Sequence, residues 1–200
     1  MIKRSIFYVA GMIIACTGVG LVIKSNIGAG PWDAFYAGTS EKIGLSIGTC
    51  VIIGQIVFLL INSLLLRKRP AFESAITIIL WGLILDFCMK FLLKNVYLAN
   101  LPLLSRWLVF LAGVIFIGIG IGVYLTSRFP SMPYDGTMLA IVERFRLNMN
   151  FSRTILEGAG LLAAYFIGGP VGLGSVVFVF FLGAFIQICS RGAEKLLLKS

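Results

Sequence analysis

Three stretches of the chain, Ser5–Ile23, Ser46–Leu66 and Trp107–Ser127, contain no charged side chain at all. In hydrocarbon a backbone has no water to bond to, so such a stretch must satisfy its own N–H and C=O groups, as an α-helix does. At about 1.5 Å per residue each is long enough for the roughly 30 Å of a bilayer core. A fourth run, Arg153–Ser190, holds the single carboxylate Glu157 and is broken by "GGPVG" at Gly168–Gly172, which makes it two helices. Ala71–Leu93 is apolar around Glu73, Asp86 and Lys90 and gives one further span. The expected fold class is an all-α membrane protein with six transmembrane helices. Only 12% of the residues are charged, too few to cover a water-facing surface all round.

Lys3 and Arg4 ahead of the first apolar run resemble the start of a signal peptide. No small-x-small cleavage site follows before Lys24, so the run is expected to remain as the first helix. The net charge of +9 is read as a topology signal. With the N-terminus inside, Lys3, Arg4, Arg67, Lys68, Arg69, Arg128, Arg144, Arg146, Arg153, Arg191, Lys195 and Lys199 fall on the cytoplasmic side. Lys24, Lys42, Lys90, Lys94 and Arg106 fall outside. That is the positive-inside bias, and it puts both termini in the cytoplasm of a multi-pass protein. No nucleic-acid motif accompanies the basic charge.

The chain is also written twice. Laying Arg4–Leu45 on Arg106–Leu147 without gaps matches Arg4 with Arg106, Gly11 with Gly113, Gly18 with Gly120, Ser25 with Ser127, Pro31 with Pro133, Asp33 with Asp135 and Glu41 with Glu143, among others. Further on, Gln55 pairs with Glu157 and, after a one-residue deletion, Asp86 with Gln187. The implied units are residues 1–101 and 102–200, three spans each, within one membrane domain. A three-span unit repeated in tandem enters the bilayer from opposite sides, which is the inverted-topology repeat of many secondary transporters. Duplication also arises in symmetric membrane scaffolds that move nothing, and that reading stays open.

Each unit places an unusual segment after its first span: "GAGPWDAF" at Gly28–Phe35 and "SMPYDGTM" at Ser131–Met138. Pro31 and Pro133 suit the first position of a helix. Asp33 and Asp135 then face the unpaired N–H groups of the first turn. Trp32, Phe35 and Tyr36 recur at helical spacing in the first copy, and Tyr134, Met138, Leu139 and Val142 in the second. Each segment predicts a helix of about a dozen residues, near 18–20 Å, too short to cross. Two placements suit it: flat at the interface, or re-entrant with its start near the midplane. In the second, Asp33 and Asp135 approach from opposite faces, and an intramembrane carboxylate pair marks a substrate or ion site. In the first they are helix caps. The candidate site is therefore Asp33 and Asp135, walled by Trp32 and Tyr134 and entered past Gly28, Gly30, Pro31 and Pro133. Asp86, Gln55, Glu157 and Gln187 are further polar candidates within the spans. For two of them a plainer account stands beside this one: Asp86 with Lys90, and Glu157 with Arg153, have the spacing of interfacial ion pairs.

The absence of histidine removes Ser-His-Asp and Cys-His catalysis and His-based metal sites. Cys16, Cys50, Cys88 and Cys189 all fall in apolar spans without a CxxC pattern, so no disulfide framework or metal site is expected. "GIGIG" at Gly118–Gly122 follows no strand and reads as close helix packing. Neither an enzyme nor a cofactor is expected. The expected partners are the lipid bilayer and a small-molecule or ion substrate, with a homo-oligomer left open.

"GAGPWDAF", its "PYDG" echo at Pro133–Gly136 and "GPVGLGS" at Gly169–Ser175 resemble the YczE/YyaS/YitT-like group of bacterial integral membrane proteins, most closely its YczE-type branch. The resemblance covers nearly the whole chain. It implies a bacterial plasma-membrane location and a transporter-like character with no assigned substrate. The second copy, Met-Pro-Tyr-Asp, lacks the glycines of the first, so the two sites are not expected to be equivalent. The function expected is a secondary transporter or facilitator of a small solute. The alternative is an accessory or scaffold membrane protein that assists another membrane or biosynthetic system.

Overall fold

The computed structural model describes residues 2–96, 98 and 101–198, with side chains described from Arg4 on except at 150, 183, 184, 187, 188 and 190–198. The described residues form helices joined by turns: α1 (Ile2–Ser25), α2 (Pro31–Ile43), α3 (Ile47–Leu66), α4 (Ser74–Phe87), α5 (Leu103–Thr126), α6 (Pro133–Phe145), α7 (Met149–Ile167) and α8 (Leu173–Leu198). A wider π turn, Cys88–Leu92, carries α4 on without a break, closed by the Leu93 N–H on Cys88 O at 2.8 Å. Four of these helices are long and apolar enough to cross a membrane: Arg4–Ser25, Ile47–Leu66, Ser74–Leu92 and Leu103–Thr126. Ala71–Leu93 is thus helical where expected, although its charged residues weakened the pattern.

The element order repeats, with α1 to α4 matched by α5 to α8. Pro31 and Pro133 each open a helix of 13 residues with an aspartate in its first turn and a basic residue in its last. Small details follow the same correspondence. Ser25 and Ser127 turn back onto Val22 O and Tyr124 O, and the next N–H but one then bonds to each hydroxyl. Ser46 caps α3 through the Thr49 N–H, and Asn148 caps α7 through the Phe151 N–H.

The middle of the bundle is a seam between α1 and α5 built on glycine. A Cβ on Gly18 would stand 2.6 Å from Gly113 O, and one on Gly11 would stand 2.7 Å from Gly120 O. The reverse substitutions, at Gly113 and Gly120, meet Gly18 O and Gly11 O in turn. Only glycine lets the two backbones approach this closely, and the gain is dispersion and Cα–H···O contact that lipid cannot supply. Because Gly11 lies by Gly120 while Gly18 lies by Gly113, α1 and α5 run antiparallel.

Around this seam the halves interlock. Helix α4 packs on α1, and α8 on α5. The short helices cross over: α2 lies along α7, and α6 along α3. In each pair the short helix runs parallel to its host and ends near the host's end. Gly38 touches Gly169, and Lys68 pairs with Glu143 at 3.1 Å.

Candidate functional site

The starts of the short helices lie level with the middles of their hosts. The Tyr134 N–H, freed by its place in the first turn of α6, donates to Gln55 Oε1 at 3.1 Å, and Gln55 is close to the midpoint of α3. The Trp32 indole N–H donates to Leu156 O at 3.2 Å, near the midpoint of α7. The two copies of Pro-aromatic-Asp are thereby brought together, with the Trp32 and Tyr134 rings 6.4 Å apart. Phe58 packs edge-on against both, at 4.7 Å from Trp32 and 5.7 Å from Tyr134.

Non-helical backbone packed inside a bundle must be satisfied by protein. The loop before α2 is held by Ala29 N–H on Pro170 O, by Gly174 N–H on Ile27 O, and by the Arg106 guanidinium on Ser25 O and Asn26 O. Gly28, at φ 136°, sits where a side chain would strike Ser175 N at 2.7 Å, so this loop can be seated only with glycine. Gly30 leaves room for the Phe178 ring, and Pro31 behind it is fully buried. The loop before α6 is tied instead by side chains. Thr77 Oγ1 donates to Pro130 O at 2.8 Å, Tyr8 OH shares a 2.5 Å bond with Thr77, and Asn62 Nδ2 donates to Pro133 O at 2.8 Å. The missing glycines of the second copy are thus replaced by hydroxyl and amide donors.

Asp33 and Asp135 are half-buried and make no hydrogen bond or ion pair among the described residues. The capping reading expects a carboxylate bonded to first-turn N–H groups, and neither short helix has a side-chain cap of that kind. Both aspartates lie within electrostatic reach of Glu157. Glu157 is only 8% exposed and faces the Tyr134 hydroxyl, with Arg153 Nε 3.8 Å away. Its pairing with Arg153 is the one expected from spacing, but it occurs in the buried middle of α7, where Glu157 occupies the place that Gln55 holds in α3. Arg153 also reaches Asp135, whereas among the described residues no ion pair is made by Asp33. The cluster therefore gathers three carboxylates and one guanidinium, which acts on Glu157 and Asp135.

One candidate stands apart from it. Asp86 accepts from the Gly48 N–H at 2.8 Å and from the Ser46 hydroxyl, with Lys90 at 3.9 Å. It anchors the first turn of α3 from α4, a role its sequence neighbours could not reveal because the partners lie about forty residues away. Asp86→Ala is expected to lower stability by about 1–3 kcal/mol, the cost of unpaired donors at a helix start; thermal unfolding in detergent micelles measures it. The side chain of Gln187, the repeat mate of Asp86, lies outside the described residues.

Two members of the site are absent from the sequence candidates. Phe58 follows Gln55 by three residues and so shares its face of α3. Tyr36 follows Trp32 by four and is 3% exposed, packed against the backbone of Gly54. Helical spacing alone marks both as ordinary core.

A family model described as "Family of unknown function (DUF6198)" matches residues 2–191. "Uncharacterized protein YyaS" of Bacillus subtilis is 33% identical over 185 residues, covering 92% of this chain and 91% of that protein. "Uncharacterized membrane protein YczE" of the same organism is 32% identical over 192 residues, covering 94% and 85%. An "Uncharacterized protein" of Haemophilus influenzae is 32% identical over 171 residues, covering 85% and 75%. No solved structure matches the chain. The apolar helices and the description of the YczE relative agree that this is a membrane protein.

Proposed function

Since the chain belongs to DUF6198, a family of unknown function, we propose its role from the site itself: a secondary transporter or facilitator, not an enzyme, that moves a small solute across a bacterial plasma membrane. Its six spans are two inverted three-helix units, each with a re-entrant half-helix, and both termini are cytoplasmic. The observation that carries this reading is the meeting of the two half-helix starts at mid-span, Tyr134 on Gln55 and Trp32 on Leu156, with unpartnered aspartates one residue beyond each aromatic. Such half-helices, entering from opposite faces and ending at the midplane, build the substrate sites of inverted-repeat carriers. The antiparallel α1–α5 seam and the exchanged seats of α2 and α6 support the inversion. The solute site lies between Trp32, Asp33, Tyr134, Asp135, Gln55 and Glu157, and the two glycine- or hydroxyl-held loops gate it from either side.

Proteoliposome flux measured with purified protein and panels of cationic, neutral and anionic small solutes tests the function. One class is expected to cross in a saturable way, and correctly inserted protein that passes none overturns the proposal. Topology has its own test. Single cysteines at Ser5 and Ser105 in a cysteine-free background are expected to react with an impermeant maleimide from opposite faces. Labelling of both from one face rules the inversion out.

A further inference from the structure

We infer that the solute taken by this site is an organic ammonium ion, bound between the aspartates and the aromatic rings, with the Tyr36 hydroxyl as one of its ligands. The inference rests on the transport site proposed above and names its substrate class. Charge gives the sign. With Asp33, Asp135 and Glu157 set against Arg153 alone, the cluster has an excess of carboxylate, and among the described residues neither aspartate has an ion pair or hydrogen bond. An uncompensated carboxylate held partly away from water is costly, and a bound cation offsets that cost.

Geometry decides what kind of cation. Among the described residues no three potential ligands converge as a metal ion would need. What borders the cluster is ring surface. The Trp32 indole is held in place by its bond to Leu156 O, and Tyr134 and Phe58 close around it. Strongly hydrated inorganic ions gain little from such surface, while alkylammonium ions bind ring faces and shed their water readily.

Tyr36 is the independent observation. Its hydroxyl is buried and makes no hydrogen bond of good geometry, with the Gln55 side chain near enough to interact with it and Asp33 within electrostatic reach. A buried orphan hydroxyl is uncommon enough to need an explanation. A primary ammonium placed against Asp33 supplies one, because a second N–H of the same group can donate to the phenol oxygen.

Calorimetric titration of the full-length protein in detergent tests this with four probes: butylammonium, tetramethylammonium, butanol and butyrate. Both ammonium ions are expected to bind, with butanol and butyrate at least about 100-fold weaker. Tyr36→Phe, which keeps the ring, should weaken butylammonium about 5–10-fold, the worth of one hydrogen bond. It should leave tetramethylammonium, which has no N–H, unchanged. Equal binding of butanol overturns the inference, and so does a Tyr36→Phe effect that is the same for both ions. The failures separate cleanly. If neither ammonium ion binds while a neutral or anionic solute crosses proteoliposomes, transport stands and the cation assignment falls. If butylammonium binds and nothing crosses, the cation site stands and transport falls.

Discussion

Gly120→Leu will yield no folded protein. The Cβ alone would stand 2.3 Å from Ala15 N and 2.6 Å from Gly11 O. Both are backbone atoms, so no side chain can swing away, and α1 and α5 must separate along their length. Overfilling an ordinary core costs about 1–3 kcal/mol because neighbours adjust. Here they cannot, and the seam also carries the packing of α4 and α8, so the loss exceeds that range and approaches the whole stability of a typical domain. Gly158→Ala is the matched control. That glycine lies within α7, exposed, with nothing within 4 Å of a new Cβ, and alanine there is expected to be neutral or to stabilise by up to about 1 kcal/mol through helix propensity. Size-exclusion profiles and thermal midpoints in detergent compare the two, and a Gly120→Leu protein that elutes and melts like the parent contradicts the seam.

The second large effect has opposite signs in two assays. Asp33→Asn preserves shape and removes charge. In flux it is expected to cost about 30-fold or more, the loss of a desolvated charge pair with substrate worth at least about 2 kcal/mol. In stability it is expected to gain. The carboxylate at the start of α2 is favoured by the helix dipole by about 0.3–1 kcal/mol, and against that stands the larger cost of holding it away from water without a partner. Relief of that cost raises the melting midpoint of the empty protein. A plain cap behaves the other way, because removing it lowers stability and leaves flux alone. Asp135→Asn follows the same pattern with a smaller gain, since Arg153 already offsets part of its charge. A fall in midpoint for Asp33→Asn together with undiminished flux would make both aspartates structural.

Much of this was readable from the chain because helix starts and membrane spans are local. Pro31 and Pro133 open their helices where the fixed φ of proline allows, and Glu41–Lys42 and Glu143–Arg144 lie in the last turns, as the pattern predicts. The correspondence of the halves was legible because it is a property of order along the chain. What the sequence concealed was contact across it. Glu157 looked like half of an interfacial pair with Arg153, and only the arrival of α2 and α6 beside α7 gives it Tyr134 and the two aspartates as neighbours. Asp86 has the spacing of a pair with Lys90, which forms at 3.9 Å, but its bonds from Ser46 and Gly48 come from another helix and left no trace in the sequence. Tyr36 gave no signal beyond helical spacing, since an unused hydroxyl shows only when its surroundings are known.

The crossing of α2 onto α7 and of α6 onto α3 has a bearing on synthesis. When the first four helices leave the ribosome, the berth for α2 is incomplete, for its larger part is made of residues after Met149. Until then the Pro31 loop and Asp33 lack the α7 and α8 contacts that seat them, and α3 waits likewise for α6. Assembly is therefore a two-stage affair in which the short helices find their seats last. A nascent chain halted after the fourth helix would leave its first aspartate without Glu157 beside it, and only the completed polypeptide would close the cluster.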